Sequence, residues 1–253
     1  MNKNKHTVET DFTKVKPYNQ HEEKTEQLAR MFNTISGQYD QFNDLMSWGM
    51  ARLWRKSALK TLKSYQPKHI LDIAAGTADM CIKAHEYLQA DFVTGVDISN
   101  EMLAVGRIKV SNVNLSSKIK LEVQDCASLA FADASFDAAT IAFGIRNFEK
   151  LDESLQQINR VLKPKGHLLI LEMNEPKKGW LLKAYFLYTR IFVRMTAKYL
   201  STDTDAYDYL TASMHAFPNG QALIDILIKN GFKLNIHKKF TFGVCSMYLV
   251  EKV

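Results

Sequence analysis

Residues 70–79 read Ile-Leu-Asp-Ile-Ala-Ala-Gly-Thr-Ala-Asp, an apolar strand that runs into a turn of small residues. After a helix-length segment, a second apolar stretch over residues 92–97 ends on Asp97. This order predicts the first β-α-β unit of a nucleotide-type binding fold, in which the turn brings the backbone close to a ligand. The Asp97 carboxylate, about 20 residues after the turn, can accept hydrogen bonds from both hydroxyls of a ribose.

The same turn lacks the glycine pattern of a dinucleotide site. A G-x-G-x-x-G frame that starts at Gly76 places Ala78 and Cys81 in the next two glycine positions. Glycines in this frame normally seat a pyrophosphate on the N-terminus of the following helix. The turn therefore favours a ligand with a ribose but no pyrophosphate, such as S-adenosylmethionine. A dehydrogenase and other α/β folds with a similar strand, turn and helix are the alternatives.

Strand-like and helical segments alternate along most of the chain. We predict strands at 70–74, 92–97, 119–124, 136–143, 167–173, 232–240 and 244–251, and helices at 100–110, 153–162 and 220–230. Alternation of this kind predicts an α/β fold with a doubly wound, mostly parallel seven-stranded sheet covered by helices on both faces. The last two strands, joined by a turn at 241–243, are expected to form an antiparallel hairpin at one edge.

We expect one large domain over 26–253, preceded by a polar, flexible N-terminal arm over 1–25. Residues 26–66 have helical spacing, with an interruption near Ser36-Gly37. The alternation breaks at Asn174, where a helical insertion over 179–200 and a polar, aromatic segment over 201–218 follow. This break predicts a helical substrate lid over 174–218.

Bulk composition excludes several classes of protein. No run of about 18 apolar residues is present to span a bilayer, and residues 1–16 lack the apolar core of a secretory signal. Three scattered cysteines indicate neither a disulfide framework nor a zinc site. The net charge of +6 is concentrated locally, since residues 177–201 contain no acidic side chain. We therefore expect a cytoplasmic protein with no metal and no nucleic-acid partner.

The stretch Phe143-Gly144-Ile145-Arg146-Asn147-Phe148 resembles the C-methyltransferase family of menaquinone and ubiquinone biosynthesis, within the seven-stranded S-adenosylmethionine-dependent fold. The resemblance runs from about Arg30 to the C-terminus and includes Tyr39-Asp40, Trp48-Gly49 and Leu171-Glu172. It implies methyl transfer from S-adenosylmethionine to a ring carbon of demethylmenaquinol, giving menaquinol. The alternatives are a quinol of the ubiquinone branch or another small phenol, and a catalytically silent binding scaffold that has kept the fold.

The chain departs from this family at two positions near the expected cofactor. The family usually has a second glycine where this chain has Ala78, and close relatives often carry a serine where it has Ala142. We expect the Ala78 methyl group to crowd the methionine end of the cofactor, unless φ is negative there and a small backbone shift absorbs it.

Six residues are expected to contact the cofactor: Gly76, Thr77, Asp97, Asp125, Cys126 and Ala142. Gly76 and Thr77 would line the methionine portion through backbone amides, and Thr77 is a binding position by the family resemblance. Asp125 and Cys126 match the family pair that meets the adenine. The alternatives are that Asp97 caps the following helix and that Cys126 is a small buried apolar residue.

Two further residues, Arg146 and Asn147, are expected to act on the substrate. A phenol with a pKa of about 10 is only about 0.1% ionised at pH 7, a deficit near 4 kcal/mol that a base or a cation can offset. Arg146 would stabilise the phenolate and Asn147 would orient the same oxygen, whereas the alternative for Arg146 is a structural ion pair. The base is left open, and its weaker candidates are Glu172, Asp205, Tyr207, Asp208, Tyr209 and His215.

The insertion over 179–200 has a basic stripe at helical spacing, formed by Lys183, Arg190, Arg194 and Lys198. Apolar and aromatic residues fill most of the remaining surface of this predicted helix. Either it packs on the domain as a lid with a solvated stripe, or it lies in a membrane interface with its basic side toward anionic headgroups. We expect peripheral contact with the inner face of the membrane, where a prenylated quinol resides. A homodimer is left open.

Overall fold

The computed structural model describes residues 12–174 and 205–253, so the predicted insertion over 179–200 lies outside the described residues. The helices within these ranges are α1 (Lys24–Ile35), α2 (Tyr39–Ser47), α3 (Met50–Leu62), α4 (Asp79–Leu88), α5 (Asn100–Asn112), α6 (Leu151–Val161), α7 (Asp205–Ala216) and α8 (Gln221–Lys229). The strands are β1 (His69–Ile73), β2 (Phe92–Asp97), β3 (Ile119–Val123), β4 (Phe136–Ala142), β5 (Leu162–Met173), β6 (Phe232–Phe240) and β7 (Cys245–Lys252). None of these helices is long and apolar enough to cross a bilayer.

The strands form one seven-stranded sheet in the order β3-β2-β1-β4-β5-β7-β6. The pairs among β1 to β5 are parallel, whereas β7 is antiparallel to both β5 and β6. The predicted α/β class, the mostly parallel sheet and the antiparallel hairpin at its edge are confirmed.

The central strands are mostly apolar because helices cover both faces of the sheet. In β1, Ile70, Leu71 and Ile73 are at most 1% exposed, and residues 168–171 of β5 are fully buried. Leu71 and Ile73 face one apolar cluster and Ile70 faces another, so the alternation of side chains along β1 serves two cores. Because these side chains must stay buried, the register between neighbouring strands is fixed. The carboxyl ends of the parallel strands therefore lie at one edge of the sheet.

The direction of strand order reverses beside β1. The chain passes from β1 to β2 and β3 on one side, and then returns to place β4 on the other side. In such sheets, ligands bind in the crevice outside the carboxyl ends of the strands at this reversal. Ala74, Gly76 and Phe143 follow β1 and β4 there, and all three have φ between 53° and 64°. The left-handed backbone turns the chain sharply away from the sheet.

The N-terminal helices are interrupted twice. The break predicted near Ser36-Gly37 is confirmed, and a second break at Trp48-Gly49 separates α2 from α3. Both residues of the second break are left-handed, with φ of 49° and 72°, which ends α2 in a way that spacing alone did not indicate. The flexibility of residues 1–25 stays a prediction, although the Phe12 ring lies against Phe217 with a centroid distance of 5.2 Å.

Two segments differ from the predicted elements. β5 begins at Leu162, since Leu162 pairs with Phe136 before the register jumps to His167 opposite Ala138. Residues 163–166, which precede the strand predicted at 167–173, therefore form a bulge within a longer strand. The segment predicted only as polar and aromatic contains α7, and Tyr209 of this helix packs with Leu28 of α1.

Candidate active site

A cavity of about 770 Å³, open to solvent, lies at the carboxyl ends of β1, β2 and β4. Its lining includes five of the six residues predicted to contact the cofactor: Gly76, Asp97, Asp125, Cys126 and Ala142. We call this space the cofactor cavity.

Asp97 joins the end of β2 to the turn after β1. Its carboxylate accepts hydrogen bonds from the backbone amides of Gly76 at 2.8 Å and Ser99 at 2.9 Å, one on each oxygen. Burial raises the pKa of Asp97, and these amides partly offset the rise. Each carboxylate oxygen accepts more than one hydrogen bond, so both oxygens keep capacity for the ribose hydroxyls. The residue fits the predicted ribose contact and also holds the turn.

Thr77 is buried and does not line the cofactor cavity. Its hydroxyl donates to Asp40 of α2 at 2.6 Å. Lys109 of α5 donates to the same aspartate at 2.8 Å, to the Thr77 hydroxyl at 3.1 Å and to Asp79. The side chain of Thr77 therefore attaches α2 to the first turn, which leaves its predicted cofactor contact to the backbone.

The backbone at Ala78 has a positive φ, whereas a shift that makes room for its methyl group would need a negative φ. Ala78 has φ of 65° and is fully buried. A side chain built at Gly106 of α5 would place its Cβ 3.2 Å from the Ala78 Cβ, so the methyl group packs on α5. Ala78 is also absent from the cavity lining. The positive φ excludes the backbone shift that a negative φ would have allowed, and the effect of the Ala78 methyl group on cofactor affinity stays a prediction.

The opposite end of the cofactor cavity is formed by residues that follow β3. Asp125 accepts a hydrogen bond from the Ala127 amide at 2.9 Å, which fixes the loop and leaves the second carboxylate oxygen available. The Cys126 thiol donates to the Ser154 hydroxyl at 3.2 Å, and burial raises the pKa of this thiol to about 12. Cys126 is therefore a neutral, buried thiol that also lines the cavity, so the two interpretations of this residue are compatible.

The N-terminus of α1 closes one side of the cofactor cavity. Glu149 accepts hydrogen bonds from the backbone amides of Lys24 at 3.0 Å and Thr25 at 2.9 Å. The Lys24 side chain is fully buried and donates to the carbonyl oxygens of Phe12 and Arg146. Thr25 and Glu149 both line the cavity. Sequence reasoning missed these residues, because the contacts join positions more than 100 residues apart.

A second cavity of about 430 Å³ adjoins the first, and Phe32, Tyr39 and Asn147 line both. Apolar residues from α1, α2 and α7 form much of its wall: Met31, Phe32, Ile35, Phe42, Ala206 and Leu210. Its polar residues are Tyr39, Asn43, Arg146, Asn147 and Tyr209. We call this space the substrate cavity.

Arg146 forms the buried ion pair that the alternative interpretation predicted. One guanidinium nitrogen donates to Glu172 at 2.6 Å and to the carbonyl oxygen of Phe143 at 2.7 Å. Burial lowers the pKa of Arg146, but the Glu172 carboxylate together with Tyr39 and Tyr209 outweighs burial, so the pKa lies above its ordinary value. The Arg146 Nε is buried without a hydrogen-bond partner, and Arg146 also lines the substrate cavity. Pairing with Glu172 therefore leaves hydrogen-bonding capacity for a ligand.

Asn147 is oriented by Tyr209 of α7. The Tyr209 hydroxyl donates to the Asn147 side-chain oxygen at 3.0 Å, which leaves the Asn147 amide hydrogens available to donate. Burial raises the pKa of Tyr209 and of Tyr39, so both phenols keep their protons at neutral pH. Tyr39 was quoted in the sequence only as part of the family resemblance, and Tyr209 only as a weak base candidate.

Four of the remaining base candidates, Glu172, Asp205, Asp208 and His215, do not line the substrate cavity. Glu172 is 1% exposed and bound to Arg146, whereas Asp205, Asp208 and His215 are exposed on α7. Tyr207 lies on the same helix. Within the described ranges, no group of three or more His, Cys, Asp and Glu side chains is arranged to hold a metal ion.

A seven-stranded sheet in this order, with an acidic residue at the end of β2 and a cavity at the strand reversal, is the fold of the class I S-adenosylmethionine-dependent methyltransferases. Solved structures agree on the fold. The [4+2]-cyclase SpnF matches with a TM-score of 0.68 at 14% identity, over 90% of this chain and 96% of that one. Phosphoethanolamine N-methyltransferase 2 of Haemonchus contortus, in complex with S-adenosyl-L-methionine, matches with a TM-score of 0.56 at 18% identity, over 78% of this chain and 52% of that one.

The chain belongs to the ubiE/COQ5 methyltransferase family, whose model matches residues 20–252. A demethylmenaquinone methyltransferase of Bacteroides fragilis is 43% identical over 94% of this chain and 98% of its own length. A ubiquinone/menaquinone biosynthesis C-methyltransferase UbiE of Pseudomonas fluorescens is 34% identical, with 89% of each chain covered. The protein is an enzyme, a methyltransferase that uses S-adenosylmethionine as its methyl donor.

Proposed function

We propose that the enzyme methylates a ring carbon of demethylmenaquinol and so produces menaquinol. The observation that carries this proposal is the substrate cavity, which combines apolar walls with one polar side and shares Asn147 with the cofactor cavity. Apolar walls suit a naphthalene ring and the start of a prenyl tail, whereas the polar side suits a ring hydroxyl. The names of the Bacteroides fragilis and Porphyromonas gingivalis relatives, at 43% and 38% identity, support this substrate.

Five of the six predicted residues line the cofactor cavity and fit S-adenosylmethionine. Asp97 would hold the ribose hydroxyls, Asp125 and the Cys126 amide would hold the adenine, and Gly76 and Ala142 would lie along the methionine portion. Thr77 would support the turn from outside the cavity through its bond to Asp40. When bound, S-adenosylmethionine supplies an electrophilic methyl group on a sulfonium that leaves as a neutral thioether. The remaining barrier is the ionisation of the substrate hydroxyl, about 4 kcal/mol for a phenol at pH 7.

Arg146 reduces this barrier through its charge. A cation in a buried site stabilises a phenolate more than water does, because the local dielectric is low and the cation is already held in place. The ion pair with Glu172 holds the guanidinium in place, and the Arg146 Nε is available to donate a hydrogen bond to the phenolate oxygen. The lowered pKa of the quinol hydroxyl allows its proton to pass to water.

Asn147 and Tyr39 position the same oxygen, and Tyr209 holds Asn147 through the hydrogen bond that it donates to the Asn147 side-chain oxygen. Because Tyr39 keeps its proton, it donates a hydrogen bond rather than accepts the substrate proton. The amide hydrogens of Asn147 donate toward the region shared by the two cavities. These donors favour the ionised oxygen over the neutral hydroxyl and orient the neighbouring ring carbon toward the methyl group.

Methyl transfer from labelled S-adenosylmethionine tests this function and the choice of branch. Short-chain demethylmenaquinol and a demethylated quinol of the ubiquinone branch serve as parallel acceptors, each at several concentrations. We expect kcat/KM to be at least about tenfold higher for demethylmenaquinol, since its second ring adds apolar area in the substrate cavity. A preference for the other acceptor rejects the proposed branch. Transfer to neither acceptor rejects the function.

We also propose that the enzyme is cytoplasmic and contacts the inner face of the membrane through residues 179–200. The support is the composition of that segment, which combines a basic stripe with wide apolar coverage. Reversing Arg190, Arg194 and Lys198 together to glutamate should weaken binding to anionic vesicles, because each basic group near such a surface contributes about 1 kcal/mol. Methylation of a water-soluble quinol should be retained. Unchanged vesicle binding rejects this contact, and loss of both activities makes the segment part of the active site.

A further inference from the structure

Two large aromatic side chains are exposed in strained turns. Trp48 is 75% exposed with φ of 49°, and Phe242 is 81% exposed with φ of 56°. A bulky residue rarely adopts a left-handed conformation, and an apolar side chain gains nothing from exposure to water. Strain of this kind concentrates at functional positions, so the two turns indicate a surface that contacts something apolar.

The two turns are linked through α3. Trp48 immediately precedes α3, and Trp54 of α3 donates a hydrogen bond to Thr241, the residue before Phe242, at 3.0 Å. Leu45 at the end of α2 and Leu53 of α3 are 44% and 59% exposed. We call Leu45, Trp48, Leu53 and Phe242 the apolar rim.

The apolar rim continues from the wall of the substrate cavity. Tyr39, Phe42 and Asn43 of α2 line that cavity, and Leu45 and Trp48 follow further along the same segment. A helix rises about 1.5 Å per residue, so Leu45 lies about 5 Å along the axis from Phe42. An apolar tail that leaves the substrate cavity along α2 therefore meets the apolar rim.

The net charge beside the apolar rim is positive. Asp44, next to Leu45, is paired with Arg52, and α3 and β6 carry basic residues and no acidic one. The other exposed basic residues of α3 and of the part of β6 next to the turn are Lys56, Lys60, Lys238 and Lys239. A second copy of this face would bring like charges together, whereas an anionic lipid surface complements them.

We propose that the apolar rim inserts into the interfacial region of an anionic membrane and places the substrate cavity where a prenylated quinol enters from the bilayer. The inference rests on the proposed function for the identity of that quinol. Tryptophan and phenylalanine suit this depth, because aromatic rings favour the boundary between headgroups and acyl chains. The membrane contact thus includes α2, α3 and the β6–β7 turn, in addition to any contact made by residues 179–200.

The test compares the full-length protein with a rim variant, Trp48→Asn/Phe242→Asn. Asparagine tolerates left-handed φ, so the substitution removes the apolar surface and keeps the turns. The matched control is Ile108→Gln/Ile228→Gln, which removes two exposed apolar side chains, 63% and 54% exposed, from α5 and α8. Cosedimentation with vesicles that contain anionic phospholipid measures partitioning. We expect the rim variant to partition at least about tenfold more weakly, and the control to match the wild type.

A second readout locates the insertion directly. Lipids brominated on the acyl chain quench tryptophan fluorescence at short range. In a Trp180→Phe background, which leaves Trp48 and the buried Trp54, we expect Trp48→Phe to abolish most of the quenching. Equal partitioning of the rim variant and the wild type overturns the inference. So does a rim-dependent dimer by sedimentation velocity in the absence of lipid, which would assign this face to a second copy of the chain.

Failure of the inference and failure of the proposed function give different results. Vesicle partitioning needs no catalysis, so rim-dependent binding by an enzyme that methylates neither quinol supports the membrane contact and rejects the function. Methylation of short-chain demethylmenaquinol by the rim variant at the wild-type rate, with unchanged vesicle partitioning, supports the function and overturns the membrane contact.

Discussion

The guanidinium of Arg146 and the carboxylate of Glu172 meet at 2.6 Å on the wall of the substrate cavity, with side chains 7% and 1% exposed. The pair holds Arg146 in a fixed place after the end of β4, and it keeps the Arg146 Nε available. The ion pair with Glu172 is therefore compatible with the functional interpretation, because it holds Arg146 where its charge can stabilise the substrate phenolate. Breaking a buried ion pair by removing one partner costs about 3–5 kcal/mol, because the other charge is left unpaired.

Arg146→Met should reduce the free energy of unfolding by about 3–5 kcal/mol and lower kcat by roughly 10²–10³. The double substitution Arg146→Met/Glu172→Gln removes both charges, so it should recover most of the stability and none of the activity. Denaturant unfolding and single-turnover methyl transfer measure the two effects. Recovery of activity along with stability would show that Arg146 acts only as a structural partner of Glu172.

Tyr209→Phe should lower kcat for the quinol several-fold while the affinity for S-adenosylmethionine stays unchanged. The substitution removes the hydrogen bond that orients Asn147, and it costs about 1 kcal/mol of stability. Tyr248→Phe is a matched control, since the Tyr248 hydroxyl accepts a hydrogen bond from the Gly220 amide at 2.8 Å outside both cavities. It should lose similar stability and keep full kcat. Equal losses of kcat in both variants would show that Tyr209→Phe acts by destabilising the fold and not by releasing Asn147.

Asp97→Ala should weaken S-adenosylmethionine binding by at least about tenfold, because hydrogen bonds to a charged group contribute about 1.5–3 kcal/mol each. Stability should also fall, since the carboxylate accepts from the Gly76 and Ser99 amides. Asp137→Ala is the control: Asp137 accepts from the Lys68 and His69 amides at the opposite edge of the sheet. Calorimetric titration should find its cofactor affinity unchanged. An Asp97→Ala affinity within threefold of the wild type would reject the ribose contact.

Ala78→Gly should leave cofactor affinity within about twofold of the wild type, because the methyl group packs on Gly106 and not on the cofactor cavity. Glycine relieves about 1 kcal/mol of left-handed strain and loses about 0.8 kcal/mol of methyl burial, so stability should change little.

The same contact predicts coupling between Ala78 and Gly106. Gly106→Ala would place a Cβ 3.0 Å from the Leu121 side chain and 3.2 Å from the Ala78 Cβ, and should destabilise the fold. Ala78→Gly should recover part of that loss in the double variant. Strict additivity of the two unfolding free energies would contradict the packing described for this turn.

Stability should decline between about pH 4 and pH 6 through Asp72. Burial raises the pKa of this carboxyl from 3.8 to about 6, and hydrogen bonds from Thr140 and Cys81 only partly offset the rise. The folded protein holds a proton that the unfolded chain has released in this interval. The stability from Asp72 is therefore fully present below pH 4 and is lost as the pH rises through 6, a loss of about 3 kcal/mol. Asp72→Asn should flatten this part of the unfolding profile. If the slope of the unfolding free energy against pH is the same in Asp72→Asn and the wild type, Asp72 is not the group responsible for the decline.

Much of the sheet could be predicted because its strands are apolar runs bounded by polar turns. β2 and β6 have the predicted bounds, and β1 differs by one residue at each end. The start of β5 could not be predicted, since the 163–166 segment has turn composition and only pairing with β4 reveals a bulge. α7 falls within the helical lid predicted over 174–218, but its bounds could not be predicted because its polar, aromatic composition lacks a clear helical stripe.

The candidate site was predictable where a residue follows a strand end, as Asp97 does. Partners from distant segments were not predictable. Thr77 is bound to Asp40, 37 residues before it, and Arg146 to Glu172, 26 residues after it. Helical spacing shows that Tyr39 shares a helix with Asp40, but it does not show that α2 crosses the carboxyl edge of the sheet. That placement depends on Lys109, whose position no local pattern fixes.

The most direct test of the account is the identity of the methylated product. The enzyme is incubated with short-chain demethylmenaquinol and S-adenosylmethionine labelled with carbon-13 in the methyl group, and the product is examined by carbon NMR and tandem mass spectrometry. The account predicts one labelled methyl group on the ring carbon beside a hydroxyl, and loss of that product in Arg146→Met/Glu172→Gln. A label on oxygen, or the same product from the double variant, would contradict it.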